Sequence, residues 1–293
     1  MAAGHGMVGH PEPDGEMIRI VTDSSCDLPD DVIAQHRIEV VPLSVRFGEE
    51  ELLDREELST EEFWRRLTTA RVLPETAAAP VGRFQEAFAR VVSAGADGIV
   101  VVILSAKVSA TIQSATLAAE QFTAGIPVRV VDSGLVSTAL GLAVIEAAKV
   151  AAAGASIEQV EAAARSACER GRIFATPATL EYLRRGGRIG GAAALIGGLL
   201  DVKVLIGFEE GKVAGVGRVR SRTRALSAIL EHVAGQRGSI RHLAVVHSDP
   251  VELPEFLQHL TAIYEGEVMV ARIGPAVGTH IGPGAVGVAY LVD

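Results

Sequence analysis

The stretch GIVVVIL, residues 98–104, is an unbroken run of seven apolar residues, most of them β-branched. Its length suits a strand, and the lack of any polar position predicts that both faces of that strand are buried, as in a parallel sheet. The polar loop SAKVSAT (105–111) follows and leads into a predicted helix that ends near residue 123. A buried strand, a polar loop and a helix in this order predict one unit of an α/β fold.

The same alternation extends on both sides of this unit. Strands are predicted over 18–22, 40–47 and 128–133. Helices are predicted over 28–36 with Asp27 as N-cap, from Ser59 or Thr60 onward, over 81–94, and along an alanine-rich segment that includes 141–154. The turn LPETAAAP (73–80) precedes the third of these helices. Strands separated by helices predict a parallel sheet with covering helices.

The pattern changes after about residue 155. Helices are predicted over 156–170, 176–185, 192–200, 222–235 and 251–262, and strands over 173–176, 242–248, 267–273 and 285–292, with a hairpin over 202–219. The helix over 176–185 is expected to end at Gly186 and Gly187. We therefore predict a disordered leader over 1–16, a first α/β domain over 17–165 and a second α/β domain over 166–293.

Charge and cysteine content exclude several functions. The net charge of −9 argues against general nucleic-acid binding. Two cysteines, Cys26 and Cys168, are too few for a disulfide framework and favour a reducing cytoplasm. No apolar run approaches the roughly 18 residues of a membrane span, and residues 1–16 lack the features of a signal peptide.

The charge is unevenly distributed. Residues 49–62 hold eight acids and one base, whereas residues 170–224 hold eleven Lys/Arg against four Asp/Glu, a net of +7. One explanation is that both stretches are solvated surface. An equally good explanation of the basic stretch is a docking surface for an acidic partner or a phosphorylated ligand.

Polar side chains follow three strands of the first predicted sheet, at 23–25, 105–111 and 132–133. Ligands of open parallel sheets bind beyond the carboxyl ends of the strands, and a loop carrying Thr76 is placed to reach that edge. A helix cap is the alternative for each hydroxyl, and Ser109 in particular is placed to cap a helix beginning at Ala110. A cap position is also where free N–H groups and the helix dipole attract an anion.

A glycine-rich loop, AVGTHIGPGAVG (276–287), surrounds His280 close to the last predicted strand. Gly282, Gly284 and Gly287 fit G-x-G-x-x-G, but a strand follows and no chain remains for the acidic residue that a dinucleotide site needs. A G-x-S-x-G elbow, a phosphate loop and zinc spacing are also missing from the sequence. Hydroxyl and imidazole donors without a nucleophile, metal or cofactor suit the holding of an anion. A hydrolase or transferase using Ser109 and His280 is the alternative.

Five motifs occur in an order that resembles the DegV family. They are TDSSCDLP (22–29), SAKVSATIQSA (105–115), VDSGLVSTALG (131–141), LEYLRRGGRIGG (180–191) and GTHIGPGAVG (278–287). The resemblance covers residues 17–293 and implies a two-domain α/β protein with a long-chain fatty acid in a tunnel between the domains. Some members resemble the fatty-acid-binding subunits of bacterial fatty acid kinase, which present the acyl carboxylate to a separate ATP-using partner that makes the acyl phosphate.

The resemblance also implies which residues hold the carboxylate. Thr76, Ser109 and His280 match the family's polar positions, with the N–H of Ala110 as a further donor. The chain departs from the family in having TAAAP (76–80) for T-S-Q-P-S, Ala110 for the glycine of S-G-T, and Ile112 for the aromatic residue that follows. Because a head-group donor that can be cationic suits a carboxylate, we expect His280 to serve as one.

Two further expectations concern the tunnel and the partner. Candidates for the tunnel wall are Leu195, Ile196, Leu199 and Leu200. Candidates for docking the kinase are Arg185 and Arg188, which flank the Gly186-Gly187 pair, and Arg220 and Arg222. We expect most of Arg220, Arg222 and Arg224 to face solvent. A carrier of this kind also implies transient contact with a membrane that supplies the fatty acid.

Overall fold

The computed structural model of the protein describes residues 16–195 and 202–293. The predicted leader, apart from Glu16, lies outside the described residues. The same is true of three predicted tunnel-wall residues: Ile196, Leu199 and Leu200.

Across the described residues the strands and helices alternate as an α/β chain. The strands are β1 (Ile18–Asp23), β2 (Glu39–Val41), β3 (Ser44–Phe47), β4 (Glu50–Leu53), β5 (Glu75–Ala77), β6 (Gly98–Ile103), β7 (Val128–Asp132), β8 (Gly171–Thr176), β9 (Lys203–Glu209), β10 (Lys212–Val219), β11 (Ile240–His247), β12 (Val268–Arg272) and β13 (Val286–Val292). The helices are α1 (Asp30–Gln35), α2 (Thr60–Thr69), α3 (Val81–Ser93), α4 (Thr111–Gln121), α5 (Ser137–Ala152), α6 (Ile157–Arg170), α7 (Glu181–Arg185), α8 (Arg222–Gln236), α9 (Leu253–Ile263) and α10 (Pro275–Ile281). Short 3-10 helices lie at Ser24–Cys26 and Gly190–Leu195.

The first sheet is parallel throughout, in the order β2-β1-β6-β7. Every residue of β6 is buried, as its unbroken apolar sequence predicts. Helices α3 and α4 pack on this sheet, and so do α5 and α6. The predicted parallel sheet with covering helices is confirmed.

One strand prediction in this part is wrong, and so is one cap. Residues 40–47 form two strands in different sheets, because Pro42 lacks an N–H and interrupts the ladder after β2. The second piece, β3, pairs with β4 and β5 in a small antiparallel sheet. Asp27 does not cap α1, which begins at Asp30 after Pro29. Asp27 is instead buried in a left-handed conformation with φ 49°.

The second sheet has six strands in the order β10-β9-β8-β13-β11-β12, and only β11 and β12 pair in parallel. Helix α5 contacts β1 and β6 of the first sheet as well as β8, β11 and β13 of the second, so it lies between them. The α/β fold with a parallel sheet and a second α/β part is confirmed. The division at residue 165 falls within α6 and stays a prediction.

The glycine-rich stretch around His280 is a loop only over residues 282–285. Residues Pro275–Ile281 form helix α10, which ends at Gly282 with φ 74°. Gly278 is packed so closely that a Cβ there would lie 2.5 Å from the Phe63 ring and 2.9 Å from the Trp64 ring. Tertiary packing therefore overrides the poor helix propensity of this stretch. No helix within the described ranges is long and apolar enough to cross a membrane.

Candidate functional site

A cavity of about 230 Å³ lies between the two large sheets, next to residues that follow β1 and β6. On the same scale a single water needs roughly 10–15 Å³. Most of the wall is aliphatic or small, with side chains from both parts of the chain, including Leu104, Val108, Ile173, Ile206 and Phe208. The polar residues of the wall are Ser25, Thr76, Ser109, Ser137, Arg188 and His280.

Thr76 and His280 form a hydrogen-bonded pair at this cavity. Thr76 lies on β5, where it pairs with Val45 of β3, and His280 lies in the last turn of α10. The Thr76 Oγ1 and His280 Nε2 atoms are 2.8 Å apart, although 204 residues separate them in the chain. Three of the predicted ligand residues, Thr76, Ser109 and His280, thus line one cavity together with Ala110.

Gly186 shapes the other side of the imidazole, and its contact with His280 was not predicted. A Cβ at Gly186 would lie 2.2 Å from His280 Nδ1, which is closer than any two such atoms approach. Within the described part of the chain, this Nδ1 is buried without a hydrogen-bond partner. The glycine that ends α7 is therefore a steric requirement for the position of His280.

Burial decides the charge of His280. Loss of water and, to a smaller extent, the nearby Arg188 guanidinium together lower the pKa of His280 to about 4. The imidazole of the ligand-free protein is therefore neutral at pH 7, and its role as a donor to a carboxylate stays a prediction.

Ser109 and Ala110 bring the start of α4 to the cavity. Ser109 Oγ lies 2.8 Å from Thr111 Oγ1 and accepts a 3.2 Å hydrogen bond from the Thr111 N–H. Helix α4 begins at Thr111, one residue later than predicted. Its first-turn N–H groups and its dipole favour an anion at this end. The N-cap of α4 is Ala110, so Ser109 stands one residue before the cap, where it accepts from the first N–H of the helix and lines the cavity.

The hydrolase alternative finds no support in this geometry. His280 Nε2 faces Thr76 and Nδ1 faces Gly186, so in the described structure neither nitrogen bonds to Ser109. The described residues also hold no group of three His, Cys, Asp or Glu side chains placed to bind a metal ion.

The four predicted docking arginines have different surroundings. Arg188 lines the cavity and donates to the carbonyls of Val108 at 3.2 Å and Gly186 at 2.7 Å. Arg185 is exposed and pairs with Glu181. Arg220 is also exposed.

Arg220 and Arg224 face solvent, so most of the three arginines are exposed as expected, but Arg222 is not. Its side chain is only 19% exposed and pairs with Glu252 at 3.4 Å. It also donates to the Gly284 carbonyl at 2.8 Å. It joins the start of α8 to the turn after α10, whereas Arg224 is exposed as expected.

Comparison with known proteins agrees with the five motifs. The sequence model of the DegV family of uncharacterised proteins matches residues 17–293. The chain belongs to the DegV family. A DegV domain-containing protein of Streptomyces coelicolor is 37% identical over 282 residues, covering 92% of this chain and 97% of the relative. One from Deinococcus radiodurans is 36% identical over 277 residues, covering 93% and 97%.

Solved DegV structures share the fold. A DegV family protein from Thermus thermophilus, described for its fatty acid binding, superposes with a TM-score of 0.86 at 30% identity, covering 94% of this chain and 100% of that one. DegV of Bacillus subtilis, described as a fatty acid binding protein, superposes with a TM-score of 0.85 at 29% identity, covering 95% and 100%.

Of the predicted wall residues of this DegV chain, Leu195 lies within the described ranges. It packs against β10, where a Cβ at Gly215 would lie 2.5 Å from its side chain, and it is not among the described residues of the wall. Strands β9 and β10 supply Ile206, Phe208 and Val213 to the wall. Sequence reasoning missed these residues because the apolar run of a hairpin does not tell which face meets a cavity.

An outer groove of about 380 Å³ meets the cavity at its polar end. Thr76, Arg188 and His280 line both spaces, and the groove also has Tyr182 and Arg185 in its wall. The hydrogen-bonding residues of this DegV chain therefore separate an apolar interior from a groove with two arginines.

Proposed function

We propose that this DegV chain binds a long-chain fatty acid in the cavity, with the carboxylate held by Thr76, Ser109, His280 and the N–H of Ala110. The observation that carries the proposal is an aliphatic cavity with a hydrogen-bonded Thr76–His280 pair, 2.8 Å apart, at its polar end. The solved DegV relatives described as fatty acid binding support it.

The energetics favour a carrier. Burying about 14 CH₂ groups at roughly 0.8 kcal/mol each gains about 11 kcal/mol relative to water. A bilayer gives a similar gain, so exchange between a membrane and this chain is nearly neutral. Each hydrogen bond to the charged head group adds about 1.5–3 kcal/mol, so the polar residues select free acids over esters.

The neutral His280 fits a relay of hydrogen bonds. With its proton on Nε2, the imidazole donates to Thr76 Oγ1, and the Thr76 hydroxyl then donates its own proton to the carboxylate. Ser109 and the Ala110 N–H meet the carboxylate from the start of α4. A bound carboxylate also raises the pKa of His280 from about 4, because an opposite charge favours the imidazolium.

Protein purified from bacterial cells is expected to carry about one free fatty acid per chain. Denaturing extraction followed by mass spectrometry measures it. Stripped protein should bind added fatty acid and bind its methyl ester far more weakly, since the ester has no negative charge for the donors. Extraction of no acyl lipid, combined with failure to bind added fatty acid, would refute the function.

We further propose that the bound acid is presented to an ATP-dependent kinase subunit in the cytoplasm, which forms the acyl phosphate. The groove lined by Arg185 and Arg188 gives access to the head group. Exposed Arg220 and Arg224 are candidates for docking, because arginine pairs well with carboxylates of an acidic partner.

Charge reversal of Arg220 and Arg224 to glutamate is expected to slow kinase-dependent phosphorylation at low salt while leaving fatty acid content unchanged. Rim charges act mainly on the association rate, so the deficit should shrink as salt screens the parent protein too. Arg222 is left intact because its buried bonds would confound the result. Reversal of the exposed Arg165 serves as control. Phosphorylation at the parent rate in low salt would exclude this docking surface.

A further inference from the structure

Two buried carboxylates hold the start of helix α10. Asp27 accepts a 2.9 Å hydrogen bond from the Gly274 N–H and one from the Ser137 hydroxyl. Asp54 accepts a 3.3 Å bond from the Ala276 N–H and a 2.8 Å bond from the Ser24 hydroxyl. Both carboxylates are at most 3% exposed.

These bonds act on the element that carries His280. Gly274 and Ala276 stand at the beginning of α10, and His280 lies in its last turn. Gly274 lies so near that a Cβ there would be 3.1 Å from Asp27 Oδ1. The far end of α10 is fitted between Thr76 and Gly186, so a small movement at its start is transmitted to the imidazole.

We propose that Asp27 and Asp54 are positioning residues that hold the start of α10, and thereby His280, in place. Ionisation of these two carboxyls weakens that hold. For its effect on affinity the proposal rests on the fatty acid site proposed above. It needs no ligand for its effect on His280 itself.

The electrostatics of the two carboxyls determine how the hold on α10 depends on pH. Burial raises the pKa of both Asp27 and Asp54 to about 7. Within the described residues, Asp54 Oδ1 has no hydrogen-bond partner to stabilise its charge. The charged or titratable groups that act on the pair or line the same recess are Asp23, Arg55, Asp30, Glu61 and Arg272.

The sign follows from linkage. If α10 moves away, the carboxyls regain water and their pKa falls toward 3.8. The state with α10 held in place therefore binds protons more tightly. It is favoured at low pH, and its stability falls progressively as the pH rises to about 7.

The ligand-free chain provides the first test, by NMR of the histidine rings. The His280 signal is assigned by its loss in His280→Gln. In the parent we expect it to shift with a midpoint near pH 7, far above the pH where its own ring titrates. Asp54→Asn keeps an oxygen to accept from Ala276 but cannot ionise, so this shift should shrink strongly. Asp27→Asn should act likewise, and Asp30→Asn, whose carboxylate is exposed at the first residue of α1, should match the parent.

Fatty acid affinity provides the second test. Relative to Asp54→Asn, the parent should lose about three- to tenfold in affinity between pH 6 and pH 8, because only the parent releases a proton at position 54 while Asp27 titrates in both. A His280 signal and a pH profile of Asp54→Asn that both match the parent would overturn the proposal. Failure to bind any fatty acid would refute the proposed function alone, since the NMR result decides the positioning role independently.

Discussion

Gly186→Ala is expected to weaken fatty acid binding about a hundredfold. The new Cβ would fall 2.2 Å from His280 Nδ1, so the imidazole must leave its place beside Thr76. The carboxylate then loses the support of both side chains, at about 1.5 kcal/mol for each bond to a charged group. Gly186 has an ordinary φ of −73°, so alanine adds no backbone strain there, and the collision alone carries the effect.

Two other glycines separate this collision from general effects of alanine. Gly187→Ala meets nothing within 4 Å but requires φ 71°, so it should lower stability by about 1 kcal/mol and leave affinity nearly unchanged. Gly235→Ala, inside α8, meets neither obstacle and should be neutral or slightly stabilising. Isothermal calorimetry with a fatty acid measures the affinity, and urea denaturation measures the stability. Parent-like affinity in Gly186→Ala would show that the head group does not depend on His280.

The ligand-free protein is expected to lose stability as the pH rises from 4 to 7. Asp27 and Asp54 have a pKa of about 7 in the folded state, against 3.8 for the ordinary carboxyl. Between these values the folded state holds protons that the unfolded state has released. For each such proton, a rise of one pH unit lowers the free energy of unfolding by up to about 1.4 kcal/mol, and this decrease levels off above pH 7.

The double variant Asp27→Asn/Asp54→Asn should have a smaller slope and be more stable than the parent at pH 8, because these two charges are no longer desolvated. Urea denaturation at pH 5, 6, 7 and 8 measures both curves. Asp30→Asn, which removes an exposed charge at the first residue of α1, should keep the parent's slope. Parallel curves for parent and double variant would mean that both carboxyls are already charged in the fold at low pH.

The sequence predicts well what depends on local pattern. The seven apolar residues at 98–104 can be a strand buried on both faces and little else, and β6 confirms it. The hairpin over 202–219 is likewise found as β9 and β10. Thr76, Ser109 and His280 were singled out by residue type and by family resemblance, and the fold brings them to one cavity.

The failures share a physical cause. Helix α10 forms because Gly278 fits against Phe63 and Trp64, a contact 214 and more residues away that no local propensity contains. Arg222 is partly buried because it donates to the carbonyl of Gly284, and Gly186 lies against the ring of His280. The neutral state of His280 in the ligand-free protein likewise depends on the fold, because burial lowers its pKa and burial is a property of the folded chain. Local sequence pattern predicts the strands and helices, whereas contacts between distant segments determine the geometry and the pKa values of the candidate site.

Strand β13 gives this fold a particular order of assembly during synthesis. It lies between β8 and β11 and pairs with both, although the ribosome makes it after both of them. Until residues 286–292 emerge, the six-stranded sheet is open at its centre, and α10, which directly precedes β13, has no finished surface beside it. A nascent chain therefore cannot complete the cavity before β13 has emerged. We expect the proposed fatty acid to load only onto chains whose translation has passed β13.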